Sequence, residues 1–265
     1  MPVLNIAHRG ARSLAPENTL AAARKALLLG ADLWETDVLV TADEQLILMH
    51  DDTLERTTDV ATRFPDRSPW TVTTFALAEI ETLAPGTRFL ERDPFGQIAA
   101  GAVTPGEQAA YICEPVPTLA GALTFTQKSG WQVNLELKRV PPPMDRFPIV
   151  ERVLDLIDRL AIEHDRVVIS SFNHAWLRQV RQLQPGLAVQ ALVGPLPLEP
   201  APEFQVYNAS ERAVDEAAVR AAVRRGLSVN LYTVNDEGDM RRFIAAGVSG
   251  LFTDYPQRLS AILAA

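Results

Sequence analysis

Glu35 and Asp37 stand two residues apart within the apolar stretch 33–41, which reads as a strand. Period-two geometry points both carboxylates to one side, inward if the strand belongs to a barrel. Two carboxylates in a barrel interior repel one another and lose hydration, and a divalent cation is the simplest compensation. On the strand predicted over 132–137 the same period aligns Asn134, Glu136 and Lys138, while Leu135 and Leu137 face the other way. That brings a third carboxylate and a cation to a strand's C-terminal end, where barrel active sites sit. The same residues admit a plainer arrangement, a buried salt bridge from Glu35 or Glu136 to Lys138 or Arg9. His8 and His50 fall at predicted strand ends beside this cluster, and imidazole suits proton transfer near neutrality. Arg9 offers a planar fork for a phosphate's oxygens. His164 and His174, at a helix end and a helix start, read as surface or capping residues.

Positioning these groups requires a regular scaffold, and apolar runs of strand length alternate with helical patterns along the chain. Strands are predicted over 3–7, 33–41, 132–137, 166–170, 187–193, 204–207, 228–234 and 250–253. Helices are predicted over 19–29 (capped by Asn18 and closed by Gly30), 119–129, 149–163, 174–183, 215–225 and 237–246. Eight strands alternating with helices imply parallel pairing, and in one domain they favour a closed (β/α)8 TIM barrel. The apolar run 46–49 follows its predecessor too closely for a parallel crossover, so it must return as an antiparallel hairpin. A two-residue turn at Asp43 and Glu44 would pair Ala42 with Gln45 and set His50 opposite Asp37. Between 52 and 117 the rhythm stops, and seven of the chain's 19 prolines fall there. Such a stretch reads as a lid or binding insertion starting at the barrel mouth, folded in part because 77–83 has a helical pattern. It is expected to govern substrate choice rather than chemistry. Its aromatic residues Phe64, Trp70, Phe75, Phe89, Phe95 and Tyr111 read as a satellite cluster more than as a substrate wall. Pro195, Pro197, Pro200 and Pro202 mark a second rigid loop.

The 265 residues are about the size of one barrel domain. A composition 47% hydrophobic and 22% charged is globular, and no apolar run is long enough to cross a membrane. A net charge of −8 offers no basic surface for a phosphate polymer, which argues against nucleic acid as a partner. Cys113 is the single cysteine, so an intramolecular disulfide is excluded and an oxidising compartment is not implied. Met1 to Arg9 runs straight into a core strand, leaving no room for an export signal, and the expected location is cytoplasmic.

In order along the chain stand His8-Arg9-Gly10, Pro16-Glu17-Asn18-Thr19, Glu35-Thr36-Asp37-Val38, His50-Asp51 and Arg56-Thr57-Thr58. Pro117-Thr118-Leu119, Asn134-Leu135-Glu136-Leu137-Lys138, Ser170-Ser171-Phe172-Asn173, Thr233-Val234-Asn235 and Thr253-Asp254-Tyr255-Pro256 follow. This ordered set resembles the glycerophosphodiester phosphodiesterase family. The resemblance implies a (β/α)8 barrel that hydrolyses glycerophosphodiesters to sn-glycerol 3-phosphate and an alcohol, with lysophospholipase D-type cleavage as the alternative on the same site. It implies a Mg2+ or Ca2+ ion on Glu35, Asp37 and Glu136, and His8 and His50 as the acid/base pair. Arg9 and Lys138 would hold the phosphate. Glu17 reads instead as a first-turn carboxylate of the helix that Asn18 begins, with a second use in fixing Arg9. Tyr232 stands where the family often has Trp, so the glycerol or headgroup wall it would form is shaped differently. A metallohydrolase of the amidohydrolase kind would need a His-x-His pair on the first strand, and Ile6-Ala7-His8 lacks one. No G-x-G-x-x-G follows a strand, which disfavours a dehydrogenase. From another class, a barrel that binds phosphodiesters without turnover is set against the enzyme, and a turnover assay separates the two.

Overall fold

In a computed structural model, residues 2–197 and 201–265 are described; Pro200 and Met1 lie outside them. Eight parallel strands close a barrel: β1 (Leu4–Ala7), β2 (Leu33–Val40), β4 (Gln132–Leu137), β5 (Val167–Ser171), β6 (Ala188–Val193), β7 (Val206–Ser210), β8 (Ser228–Tyr232) and β9 (Gly250–Thr253). Closure is made by β1, which pairs with β9 on one side and β2 on the other. The short strand β3 (Leu46–Leu48) pairs antiparallel with β2. Helix α1 (Leu20–Leu28) follows β1, and the insertion contributes α2 (Val60–Arg63), α3 (Leu77–Ile80), α4 (Pro85–Arg92) and α5 (Pro105–Tyr111). The outer ring continues with α6 (Leu119–Ser129), α7 (Ile149–Arg159), α8 (His174–Leu183), α9 (Glu216–Arg224), α10 (Glu237–Ala246) and α11 (Pro256–Leu263). No helix is long and apolar enough to cross a membrane, among the described residues.

Side-chain alternation divides the core in two. Outward residues of the strands, among them Trp34, Val133, Leu135 and Ile169, pack under the helices. Trp34 is fully buried, stacked on Trp131 at 6.5 Å and met edge-on by Phe125. Replacing it with alanine would cost roughly 3–5 kcal/mol through lost burial and a cavity. Inward, Ile6, Leu33 and Phe252 make a small apolar cluster. Asn134, Gln190, Asn208 and Asn230 fill another part of the interior, each amide joined to the next by hydrogen bonds. These bonds offset much of the cost of burying the amides, although Asn208 Nδ2 and Asn230 Oδ1 are left without a partner.

Several local expectations are corrected. The hairpin turn has three residues, with Glu44 at φ 62, and Thr41 pairs with Gln45. The pairing becomes Val38 with Leu48, so the Met49 amide, not His50, meets the Asp37 carbonyl, and His50 stands one residue beyond. A left-handed residue closing the loop is the usual geometry of three-residue hairpins. Helix α1 is capped by Thr19, whose hydroxyl accepts from the Ala22 amide. Asn18 is instead left-handed at φ 55 and buried, its side chain turned into the barrel. Glu17 therefore lies outside the helix and carries no first-turn role. Strand β7 begins two residues later than expected, and α11 was not expected at all. The insertion's aromatics do form satellite clusters: Phe64, Trp70 and Phe75 under β3, Phe89 and Tyr111 against α1.

Candidate active site

The sequence His8-Arg9-Gly10 makes the turn out of β1. Arg9 is left-handed at φ 55, and Gly10 follows at φ 78, where a Cβ would meet the Ala22 backbone at 2.6 Å. Only glycine tolerates that approach of α1, while the Arg9 conformation, costing roughly 1–2 kcal/mol, is held by bonds at both ends of the residue. Its amide donates to Glu35 Oε2 at 3.0 Å. Its guanidinium donates to Glu17 Oε1 at 2.9 Å and lies 3.1 Å from Asp37 Oδ2.

Three carboxylates converge beside it. Parallel pairing sets Asp37 against Glu136 and Glu35 against Asn134, and ligand atoms of Glu35, Asp37 and Glu136 all lie within 4.8 Å of one another. Asn18 donates to Asp37 Oδ2 at 2.9 Å and accepts from the Asp37 amide and the Thr36 hydroxyl. Lys138 donates to Glu136 Oε1 at 2.9 Å and stands 3.5 Å from Asp37 Oδ1. Burial, with Asp37 and Glu136 close by, pushes the Glu35 carboxyl well above its ordinary range. Glu136 is raised by burial and by Asp37, against the pull of Lys138. Burial pushes Asp37 up as well, but Arg9, Lys138 and His50 outweigh it and hold this carboxyl at about 2. Of the salt bridges foreseen as the plainer arrangement, Glu136 with Lys138 is present, while Glu35 is met only by the Arg9 amide, and Glu35 Oε1 and Asp37 Oδ1 are buried without a hydrogen-bond partner. Two orphaned carboxylate oxygens in a group that cannot carry three charges alone fit a divalent cation. The triad could hold such an ion.

Each histidine rests on an aspartate through Nδ1. His8 Nδ1 lies 2.7 Å from Asp254 Oδ1, and His50 Nδ1 lies 2.6 Å from Asp51 Oδ1. An ionised carboxylate only accepts, so the proton sits on Nδ1 and each Nε2 is the ring nitrogen left for chemistry. Asp254 is braced by Asn235 Nδ2 at 2.8 Å. Burial, then Arg9, lower the His8 pKa below its usual value, against the opposing pull of Asp254. Glu17 ties the two halves together, accepting from Arg9, from Arg12 and, bidentately, from Arg56. Burial pushes Glu17 up, but Arg56, Arg12 and Arg9 hold it well below the carboxylate range. Arg56 also donates to Asp51.

Two openings flank the carboxylates. One, of about 590 Å3, is lined by His8, Arg12, Tyr232 and Asp254; the other, of about 630 Å3, by His50, Glu136, Lys138 and Phe172. Tyr232 and Phe172 meet edge to face at 6.2 Å, and the Tyr232 hydroxyl donates to the Val193 carbonyl at 2.8 Å. All eight singled-out residues, His8, Arg9, Glu35, Asp37, His50, Glu136, Lys138 and Tyr232, therefore line this mouth or lie just beneath it. Asp51, Asp254 and Arg56 stand in the sequence only as motif members, with no part assigned to them, and Asn18 as a helix cap, yet all four support the site. For Asp254 a signal was available: in a closed barrel the last strand lies beside the first, and Ala7 pairs with Thr253.

A (β/α)8 barrel that gathers two histidines, three carboxylates and two cationic side chains at the strands' C-terminal ends fits the class of phosphoric diester hydrolases. The sequence matches the profile of the Glycerophosphoryl diester phosphodiesterase family over residues 8–258, and the chain belongs to that family. It is 34% identical to a glycerophosphodiester phosphodiesterase of Caldanaerobacter subterraneus over 98% of this chain and 97% of that one. With a glycerophosphodiester phosphodiesterase of Bacillus subtilis it shares 32% identity over 96% of this chain and 84% of the other. Among solved structures, it is similar to a phosphodiesterase of Oleispira antarctica in complex with the product sn-glycerol-3-phosphate. The TM-score is 0.81 at 26% identity, covering 98% and 96% of the two chains. Its activity class is that of the glycerophosphodiester phosphodiesterases.

Proposed function

We propose that this chain hydrolyses glycerophosphodiesters to sn-glycerol 3-phosphate and an alcohol, with Mg2+ or Ca2+ on Glu35, Asp37 and Glu136 and with His8 and His50 exchanging the protons. One observation carries the reading: two histidines with free Nε2 atoms flank a carboxylate triad that has two orphaned oxygens. The bound cation would supply positive charge for phosphoryl oxygens. Arg9 and Lys138 hold the phosphate in this reading; Glu17 and Asp37 orient the Arg9 guanidinium before substrate arrives. One Nε2 takes the proton of the attacking oxygen, and the other protonates the departing alkoxide, which leaves poorly at neutral pH. Tyr232, its hydroxyl engaged by Val193, offers its ring to the glycerol or headgroup rather than a proton.

Chelation tests the cation. Excess EDTA should abolish release of glycerol phosphate from glycerophosphocholine, and Mg2+ or Ca2+ should restore it. Undiminished turnover in EDTA, with no metal found by elemental analysis, would refute the assignment.

A further inference from the structure

Where the insertion meets the barrel lies a cavity of about 270 Å3 whose walls carry Arg12, Arg56, Arg88 and Arg92. Its one carboxylate, Glu17, is already shared among Arg9, Arg12 and Arg56. Positive charge is thus in surplus at this spot on a chain of net charge −8. The far wall is α4, where helical spacing puts Pro85, Arg88, Phe89 and Arg92 on one face. Gly86 fixes that face: a Cβ there would meet the Tyr111 carbonyl oxygen at 1.6 Å, so α4 lies directly on α5.

Arg56 is fully engaged by Glu17 and Asp51, but the other three arginines are under-used. Arg88 Nε is buried with no hydrogen-bond partner, and its guanidinium reaches only the exposed Glu91, at 3.5 Å. Arg12 Nε is likewise buried without a hydrogen bond, and its guanidinium lies over the Phe95 ring at 5.2 Å. Arg92 pairs with no carboxylate among the described residues. An oxyanion in the cavity would take charge-assisted hydrogen bonds from several of the guanidinium groups that line it at once. The near wall adjoins the chemistry: Arg12 stands 3.7 Å from the Asp254 that holds His8, and Arg56 donates to the Asp51 that holds His50.

We propose that this cavity is a second anion site, taking a phosphate or carboxylate in addition to the phosphodiester itself, and that an acidic headgroup on the leaving alcohol supplies it. The headgroup part rests on the phosphodiesterase reading above; the anion site does not. Two substrate pairs test it: glycerophosphoethanolamine against glycerophosphoserine, which differ by one carboxylate, and glycerophosphoglycerol against its terminal phosphate monoester. The intact enzyme should favour the acidic member of each pair by about tenfold in kcat/KM, the worth of one charge-assisted hydrogen bond. The double variant Arg88→Gln/Arg92→Gln should bring that ratio close to one while leaving glycerophosphoethanolamine turnover unchanged. In parallel, inorganic phosphate is titrated calorimetrically into both proteins, and the variant should lose a binding site. Equal substrate ratios with phosphate binding lost in the variant would make a free anion the occupant. Equal ratios with equal phosphate binding would overturn the site. If no phosphodiester turns over at all, the phosphate titration still decides the anion site, and the phosphodiesterase reading alone fails.

Discussion

The two histidines differ in how the chain secures them. His8 sits at the seam where the barrel closes, its side chain 15% exposed, on an aspartate supplied 246 residues later and itself braced by Asn235. His50 stands past the end of the hairpin, 33% exposed, on an aspartate that is its own neighbour in sequence and is steadied by Arg56 from the insertion. The first is defined by the barrel, the second by what has been added to it. The difference assigns roles. Burial and Arg9 favour the neutral form of His8, the form that accepts a proton, whereas His50 is the more exposed ring, on the opening lined by Lys138 and Phe172. His8 is therefore expected to be the base and His50 the acid.

The sharpest way to break this asymmetry is to remove each ring. His8→Ala and His50→Ala should each lower kcat by about 10²- to 10⁴-fold on glycerophosphocholine. On a p-nitrophenyl ester, whose leaving group needs no proton, His50→Ala should recover most of its loss and His8→Ala none. Rescue of His8→Ala instead would exchange the two roles, and equal losses on both esters would dissolve the division. Removing the supports should have a smaller effect. Asp254→Asn should cost roughly 10²-fold or more, since a buried imidazole loses its tautomer and its orientation together. Asp51→Asn should cost at most about fivefold, the scale of an exposed ion pair. A larger penalty at Asp51 than at Asp254 would show that the hairpin, not the seam, is the demanding half. The mildest effect concerns pH. With a pKa lowered below the ordinary 6.5, His8 stays neutral until the solution is more acid than that value. The acidic limb of kcat/KM should then fall below pH 6.5 in the free enzyme, and a limb above it would mean that His8 does not act as the resting base.

The same contrast explains what could be read from sequence. Alternation on β2 and β4 was enough to bring Glu35, Asp37 and Glu136 together, because parallel neighbours in a barrel share their inward faces and no long-range geometry is needed. The hairpin register was not legible: whether Glu44 closes a two- or three-residue loop depends on a left-handed backbone that the residue tolerates but does not demand. Asn18 misled for a related reason. Asparagine is favoured both as a helix cap and at positive φ, and burial against Thr36 and Asp37 decided for the second. Helix α11 gives only a weak signal, a proline opening a short apolar stretch, and it follows the strand that completes the barrel, so no strand spacing demands it. The Asp254 contact depends on closure itself, which no local pattern encodes. The arginine cavity is visible only once α4 is laid against α1 and the barrel mouth.

Closure at β1 and β9 also sets a timetable. A chain made from its N-terminus exposes His8 early, but the aspartate that completes this centre is 246 residues away. At 5–20 residues per second that is about 12–50 s of synthesis. Throughout it the first strand lacks one of its two neighbours, and Arg9 and Glu35 can already meet while His8 has no anchor. Cations captured early by Glu35, Asp37 and Glu136 would therefore meet a binding cradle without a working base. On the proposed mechanism, turnover would have to wait until the last strand docks and Asp254 reaches His8.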